Sequence, residues 1–530
     1  MIAFDVQPEG VKHIPGYKRI PGHIIWDVKM DFTRKARYVA GGHRTDPPKA
    51  LTYSSVVSRE SVCIALLLAG LNELEVRLTD IGNAYLTAAT TERCYIMAGD
   101  EFGPDLKGRV LKIVRALYGL KSAGASFHAH LANVLRNIMH FTPCEADPDV
   151  WMRKAVKPDG TTYYEYALCY VDDVMVISAD PNKVIEELRE HFVLKEVTNP
   201  GESRQRYLGA MIGKYVFKDG SAGWYMSADE YLAQAIPTVE AEWDEKLYKK
   251  ASSPLSEDYH PEMDTSPLLS EDDAQLFGSY IGILQWAVEL ARIDLTQSVS
   301  LMARFRNALR EGHMAAVLCI FGYVKGHLKA KVVFDPLYRD WTVIDWQDSA
   351  DWKEFYPDAQ EPISPKAPEP LGNEVQINIY CDAAHATCLA TRQSMTGIIV
   401  YLNGGVVKWY SKWQNTVESS TFGSEFVSLK IAMEMNCAMR YKLRMMGVPI
   451  AGPTNMFGDN KSVVRNVVDP VSTLNKRHNA IAYHKCHEEV AAEAAHLAHE
   501  PGKENCSDGL TKILVGKGFH KFYRDVMYSY

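Results

Sequence analysis

The chain has 530 residues, 47% of them hydrophobic, and a formal net charge of −8. That length suffices for about three or four domains, and the apolar share supplies buried cores. The acidic balance argues against indiscriminate nucleic-acid binding, although it leaves room for a local basic groove. The ten cysteines include no Cys-x-x-Cys pair, which fits reduced thiols in an intracellular protein better than a disulfide framework or a zinc ribbon. With no signal peptide and no apolar run of about 18 residues, a soluble protein is expected.

Residues 1–50 hold nine Lys/Arg against five Asp/Glu. From residue 11 onward this segment is rich in Gly, Pro and cations, among them Gly16, Pro21, Gly22, Lys29, Arg34, Lys35 and Arg37. The run Phe32–Ala40 sets cations in a β-branched and aromatic stretch. It reads as a basic strand able to hold a triphosphate, or as a solvated edge strand. Residues 56–73 have a helical apolar stripe of Ile64, Leu66, Leu67, Leu68 and Leu71. Val76–Ile81 reads as a strand reaching its end at Asp80, and Gly82-Asn-Ala-Tyr-Leu86 then turns into a helix start. An aspartate at the end of a strand, followed by Gly and a helix, is well placed to hold a metal. Residues 109–116 form another strand pattern, and Leu117–Phe127 opens a helix running to about His140. The small residues Gly119, Ser122, Ala123, Gly124 and Ala125 permit close approach of a backbone or a base pair, or simply tight helix packing.

The stretch Ala167–Ser178 organises the chain. Two short apolar runs, Ala167–Val171 and Val174–Ile177, flank Asp172 and Asp173 and read as a hairpin with the two acids at its tip. Two-residue hairpin turns favour Asn-Gly or Asp-Gly, since both central residues want positive φ. Asp-Asp lacks the glycine, and two adjacent carboxylates raise one pKa unless a cation sits there. Mg²⁺, a hard ion that prefers carboxylate oxygens, resolves both problems; a solvated turn is the bland alternative.

Residues 182–192 form an amphipathic helix, and Tyr207–Ile212 reads as a strand with a glycine in it. Residues 227–238 and 271–329 are mainly helical, the second set opening at Ser270 before three acids. Arg304, Arg306, Arg310, Lys325 and Lys329 make a cationic face for a phosphate backbone or for solvent. Residues 335–374, with Trp341, Trp346, Trp352 and five prolines between Pro357 and Pro370, mark a boundary. The remainder opens with a strand, Glu374–Asp382, again ending in aspartate. Strands Thr396–Leu402 and Val406–Tyr410 follow, then a helix, Ser424–Met446, stopped by Gly447. Glu425 falls in its first turn, where an acid suits the helix dipole. Thr454–Asp459 is a further strand ending in aspartate, and Asn505-Cys-Ser-Asp508 opens the last helical stretch. The spacing of His478, His484, Cys486 and His487 fits no standard zinc site and reads as a helix with solvent-facing histidines.

Acids at strand ends and helix starts therefore recur in two ordered sets: Asp80, Asp172, Asp173, and then Asp382, Glu425, Asp459, Asp508. Two-metal phosphoryl chemistry needs such sets, because several carboxylates must hold two cations about 3.5–4 Å apart. A single strand-end aspartate is usually a cap or a turn.

Blocks of the sequence support a more specific reading. Lys35-Ala-Arg37 with Val39, Thr79–Leu86, Ala116–Lys121, Tyr170-Val-Asp-Asp173 and Tyr207-Leu-Gly209 resemble the reverse transcriptase of copia-type long-terminal-repeat retrotransposons. Tyr280-Ile-Gly282 and Ala291–Asp294 resemble that family's connecting helices. Asp382-Ala with His385, Thr416-Val with Ser424-Glu-Phe426, Phe457–Asn460, and Ser507-Asp with Leu510-Thr-Lys512 resemble its ribonuclease H blocks. The sequence departs from the family where Asp382-Ala-Ala-His385 replaces an Asp-Ala-Asp run and where Thr421-Phe-Gly-Ser-Glu425 replaces Ser-Thr-Glu-Ala-Glu.

The resemblance implies an α+β right-hand polymerase followed by a mixed-sheet ribonuclease H-like α/β domain. Its expected divisions are fingers and palm at 1–225, thumb and connecting helices at 226–334, a proline-rich acidic connection at 335–373 and ribonuclease H at 374–530. It implies that Asp80, Asp172 and Asp173 form the polymerase triad and that Asp382, Glu425, Asp459 and Asp508 form the ribonuclease H quartet. Each set would hold two Mg²⁺ ions, with Mn²⁺ as a substitute. Lys35, Arg37, Tyr85, Tyr118 and Gly119 would meet the nucleotide, with Tyr85 excluding a 2′-hydroxyl, and Tyr207, Leu208 and Gly209 would grip the primer. His499 is a candidate for assisting product release.

The implied partners are an RNA template, a DNA primer, RNA–DNA hybrid and dNTPs, with integrase and capsid as products of the same polyprotein and no membrane. The implied location is cytoplasmic, within virus-like particles, with possible nuclear entry. Protease, capsid and integrase segments are not expected within these residues, so the chain reads as a processed product or a polyprotein fragment. The rival readings are a domesticated nucleic-acid binder without activity, which has no need of intact carboxylates, and a pure two-metal nuclease, which has no need of the Tyr170–Asp173 hairpin.

Overall fold

A computed structural model describes residues 2–28, 34–45, 52–243, 246–248, 251–342, 344, 346, 351–473 and 480–529. Lys29, Phe32, Thr33 and His478 lie outside the described residues. The fold is mixed α/β and divides into two compact units. One contains residues 1–58, 77–154 and 165–198, and the other 59–76, 155–164 and 199–530.

In the first unit a four-stranded sheet has the order Phe4–Val6, Val110–Ile113, Cys94–Met97, Lys18–Arg19, and Gly22–Val28 pairs with Arg34–Ala40 as a two-stranded ribbon. A five-stranded sheet has the order Glu75–Asp80, Asp173–Ser178, Thr162–Tyr170, Asp147–Val156, Thr142–Cys144. Its central strands are buried on both faces, which explains why Val174–Ile177 is apolar without alternation. The helices Ala123–Asn133 and Pro181–Arg189 share its core through Phe127, Leu131 and Leu188. Asp180 caps the second helix by accepting from the Lys183 amide, with Pro181 at the first helical position.

In the second unit the helix Arg59–Leu71 is buried from Ser61 through Ala69. A helix apolar on every side belongs inside a core, and this one packs on the strands Ala222–Ser227, Lys331–Phe334 and Gly405–Trp413. Its Glu60 pairs with Lys408 and, at 2.9 Å, with Lys442. The helices Asp229–Glu242, Glu271–Glu289, Thr296–Met302 and Glu311–Gly326 follow. Between them the fully buried Arg292 and Asp294 are joined by two hydrogen bonds of 2.8 and 2.9 Å, and Tyr323 donates to Asp294 at 2.8 Å. The prolines and tryptophans after residue 335 are tied down. Trp341 and Trp346 pack on Phe457, and Arg440 and Arg444 both hold Glu361.

The last sheet has the order Gly405–Trp413, Met395–Leu402, Ile377–Ala384, Thr454–Gly458, Ala495–His499, antiparallel across the first three strands and parallel across the rest. The helix Thr421–Met445 lies against its central strand.

Two candidate carboxylate sites

The register of the first site differs from the sequence expectation by one residue. Tyr170 pairs with Asp173, so the turn residues are Val171 and Asp172, and Asp173 opens the returning strand. The positive φ that such a turn demands falls on Val171, at 56°. A β-branched residue in the left-handed region is strained by roughly 1–2 kcal/mol. The pairing register along the hairpin places the two acids at the sheet end.

Asp80 joins them because its strand lies beside Asp173–Ser178, and the Ile81 amide donates to the Asp172 carbonyl at 2.8 Å. Burial, then the Asp80 charge, raises the Asp172 carboxyl; burial, then Asp172 and Asp80, raises Asp173 to about 6. The cation beside them is Lys195, whose ammonium lies 2.5 and 2.6 Å from the two oxygens of Asp80 and whose amide donates to the Asp80 carbonyl at 2.9 Å. Sequence reasoning missed Lys195, which stands 115 residues from Asp80 and belongs to none of the blocks above.

The Tyr85 ring lies 4.9 Å from Tyr118 and 6.1 Å from Phe127. Burial followed by the Asp172 charge raises both tyrosine hydroxyls, which sets them beside the same acids. The Arg37 guanidinium lies 5.6 Å from the Tyr118 ring, and the Lys35 charge acts on Asp172. Gly119, at φ +89°, is required by close approach. A Cβ there would sit 2.1 Å from the Ala40 carbonyl oxygen, next to the 2.7 Å hydrogen bond from the Ala40 amide to the Tyr118 carbonyl.

Tyr207–Ile212 is not a single strand. Tyr207 pairs with Ala210 across a two-residue turn in which Leu208 and Gly209 have φ of 51° and 86°. Glycine at the second position suits a turn with positive φ at both central residues. These three residues belong to the second unit.

In the second site Asp382 is 1% exposed and lies inside its strand, which continues to Ala384 rather than stopping at the acid. Cys381 pairs with Gly458, so Asp459 follows directly at the neighbouring strand end. Glu425 is not in the first turn of its helix. The helix starts at Thr421, capped by Ser420, and its first turn holds no acid. Packing sets Glu425 instead, with the Ser428 hydroxyl donating to the Asp382 carbonyl at 2.8 Å to dock the helix on the strand.

One ligand atom from each of Asp382, Glu425 and Asp459 lies within 4.8 Å of the others. Among the described residues no other three His, Cys, Asp or Glu converge so closely, so the Asp80, Asp172 and Asp173 set is looser. Burial, then Asp382 and Asp459, pushes Glu425 up to about 10, while burial followed by Asp382 raises Asp459 as well. One oxygen of Asp382, Oδ1, is buried with no hydrogen-bond partner. Converging carboxylates with an orphaned oxygen and raised pKa values fit a divalent cation.

Asp508 is not among the three closest but interacts with Asp382. It pairs with Lys512, whose ammonium also lies 3.5 Å from Asp382, and burial followed by the Asp382 charge raises Asp508 to about 6. Thr511 donates to Asp382 Oδ2. The motif Leu510-Thr-Lys512 signalled both residues without revealing these contacts. His499 Nε2 lies 3.0 Å from the Asp459 carbonyl oxygen.

The expectation of solvent-facing histidines holds for His484 and fails for His487, which is fully buried against Tyr483 with its Nε2 3.0 Å from the Asn466 carbonyl. The cationic face is partly spent internally: Arg304 lies over Trp413, Arg310 donates to the Ser266 carbonyl, and Lys325 pairs with Glu240.

Residues 6–240 match the family model described as reverse transcriptase (RNA-dependent DNA polymerase). The retrovirus-related Pol polyprotein of transposon RE1 from Arabidopsis thaliana is 24% identical over 92% of this chain and 30% of its own length. That of transposon TNT 1-94 from Nicotiana tabacum is 23% identical over 88% of this chain and 32% of its own. The transposon Ty1-JR2 Gag-Pol polyprotein of Saccharomyces cerevisiae is 22% identical over 96% and 27%. The chain thus spans about a third of the length of these relatives. Among solved structures, LC11-RNase H1 in complex with an RNA/DNA hybrid matches at 17% identity, covering 26% of this chain and 94% of that one with a TM-score of 0.21. Residues 6–240 thus match the reverse transcriptase family, and the chain is similar along most of its length to the Pol polyproteins of copia-type retrotransposons.

Proposed function

We propose that the chain is an RNA-directed DNA polymerase that copies retrotransposon RNA into DNA and hydrolyses RNA in the resulting hybrid. The observation that carries this is the meeting of Asp80 with Asp172 and Asp173 at one sheet end, inside the segment that matches reverse transcriptases. In this reading residues 1–225 are fingers and palm, 226–334 thumb and connecting helices, 335–373 the connection and 374–530 the ribonuclease H domain.

At the first site the primer 3′-hydroxyl attacks the α-phosphate of a dNTP in line, and pyrophosphate leaves. Asp80, Asp172 and Asp173 would hold the cations, while Lys35 and Arg37 would neutralise the triphosphate. Tyr118 and Gly119 shape the pocket and Tyr85 abuts the sugar; the Tyr207–Gly209 turn, in the second unit, is the proposed primer grip. At the second site Asp382, Glu425, Asp459 and Asp508 are the proposed ligand set, the first three converging most closely, with Lys512 beside Asp382 and Asp508. Divalent cations, Mg²⁺ by the all-oxygen donor set, supply Lewis acidity and neutralise charge on the attacking and leaving oxygens. The partners are template RNA, primer and hybrid, and the working location is a virus-like particle.

The rival reading of an inactive nucleic-acid binder gives no reason for two sets of convergent carboxylates in which burial and neighbouring charge raise Asp172, Asp173, Glu425 and Asp459. Primer extension on an RNA template with Mg²⁺ tests the proposal. Template-dependent DNA synthesis supports it, and its absence from folded protein that binds the primer–template refutes it.

A further inference from the structure

A cavity of about 960 Å³ lies in the second unit, and none of its lining residues belongs to either carboxylate set. The end of the helix Glu311–Gly326 and the loop after it form one side, and the helix Gly516–Val526 forms the other. Among the described residues its lining includes Lys325, Lys329, Lys517 and Arg524 and no Asp or Glu, in a chain whose net charge is −8. Lys325 is shared with Glu240. Lys517 and Arg524 are exposed on the outer face of a helix whose inner face buries Phe519, Phe522 and Val526.

The wall between the cations is aromatic. His327 stacks on Tyr323 with ring centres 4.3 Å apart and planes 22° apart, and Tyr523 stands 6.3 Å from His327. The wall is also braced from behind. Tyr323 donates to the buried Asp294, which Arg292 holds by two hydrogen bonds, and the Tyr323 carbonyl takes the His327 Nδ1–H at 2.9 Å. Tyr323 is fully buried beneath His327, so the open ring faces are those of the partly exposed His327 and Tyr523; a base or sugar of a nucleic-acid strand fits on them while its phosphates meet the ammonium and guanidinium groups. The volume exceeds what a lone phosphate needs and falls within the range of ligand pockets.

We propose that this cavity is a second nucleic-acid contact, holding the phosphodiester backbone of the strand on which the polymerase acts. The inference rests on the proposed function for the identity of its ligand, and its test does not require catalysis.

The experiment measures binding of a fluorescent RNA–DNA hybrid to the full chain by anisotropy across a salt series. It compares wild type, Lys517→Glu with Arg524→Glu, and a control with the same change of net charge, Lys12→Glu with Lys218→Glu, both exposed lysines elsewhere. The cavity pair loses at least tenfold in affinity, and its slope of log K against log salt becomes shallower by about 1–2, as expected for one or two lost phosphate contacts. The control pair shows less than half of either change. Equal effects in both pairs, or none in either, overturn the proposal. An adenosine monophosphate arm separates the ligand sources: mononucleotide binding that the cavity pair abolishes, with hybrid binding unchanged, assigns the cavity to free nucleotides and overturns the strand assignment. A wild type that binds hybrid through the cavity yet never extends a primer refutes the proposed polymerase function while leaving this contact standing.

Discussion

The Lys195 ammonium grips both carboxylate oxygens of Asp80, at 2.5 and 2.6 Å, at the sheet end where Asp172 and Asp173 emerge. The two groups are 52% and 33% exposed, so the pair is a modest electrostatic contact and no structural anchor. An ammonium on a metal-ligand carboxylate competes with the metal for the same lone pairs.

Lys195→Met therefore lowers the Mg²⁺ concentration that half-saturates primer extension. An exposed pair is worth up to about 1 kcal/mol, which corresponds to about a fivefold shift. A Mg²⁺ titration of the initial rate reads it. An unchanged or raised midpoint shows that Lys195 does not compete with the cation.

Tyr85 lies between Tyr118 and Phe127 with its hydroxyl raised by burial and then by Asp172. In the proposed reading, a ring fixed there excludes a ribose 2′-hydroxyl from the nucleotide pocket. Tyr85→Val stays folded and incorporates ribonucleotides more readily, by tenfold or more in the ratio of the two kcat/KM values on one RNA template. A purely structural ring predicts only destabilisation, at most about 3–5 kcal/mol for loss of a buried aromatic, and an unchanged ratio in the active variant ends the gate reading.

Glu425 carries a cost in the metal-free protein. Its folded pKa, about 10, lies above the unfolded value of about 4.3. Stability is therefore lost progressively as pH rises from the unfolded value through the folded one. Glu425→Gln removes that loss while keeping the shape. With a chelator at pH 7.5 the variant melts higher than wild type, by about 2–4 °C for each kcal/mol relieved in a domain of this size. Saturating Mg²⁺ narrows or reverses the gap. A lower melting point with the chelator present contradicts the like-charge account.

Glu361 has the opposite sign. Burial pushes its carboxyl up, but the hydrogen bonds and charges of Arg440 and Arg444 outweigh that and hold it at about 2. The contribution is present above the unfolded value of about 4.3 and is lost as pH falls toward 2. Glu361→Gln lowers the melting temperature at pH 7, and the difference from wild type closes between about pH 4 and pH 2. A difference independent of pH excludes the ion pair as its source.

The strand-end acids were legible because Asp80 and Asp459 close short stretches of strand pattern and Asp172 follows the apolar run Ala167–Val171. Turn geometry was harder to read. The strain fell on Val171 rather than on the acids because the register is set by pairing along the whole hairpin, and a sequence does not print its register. Glu425 was misplaced in its helix because Ser420, a good N-cap, precedes the expected start by several residues. Lys195 and the cavity at Lys517 and Arg524 were invisible for a different reason: both depend on which distant segments meet.

The central claim is two carboxylate sites with separate chemistries, and paired assays of single variants test it most directly. DNA synthesis on an RNA template and cleavage of RNA in a hybrid are measured on the same preparations of wild type, Asp173→Asn and Glu425→Gln. Asp173→Asn loses synthesis by at least a hundredfold and keeps cleavage; Glu425→Gln keeps synthesis and loses cleavage to the same degree. Loss of both activities in either folded variant, or retention of both, contradicts the account.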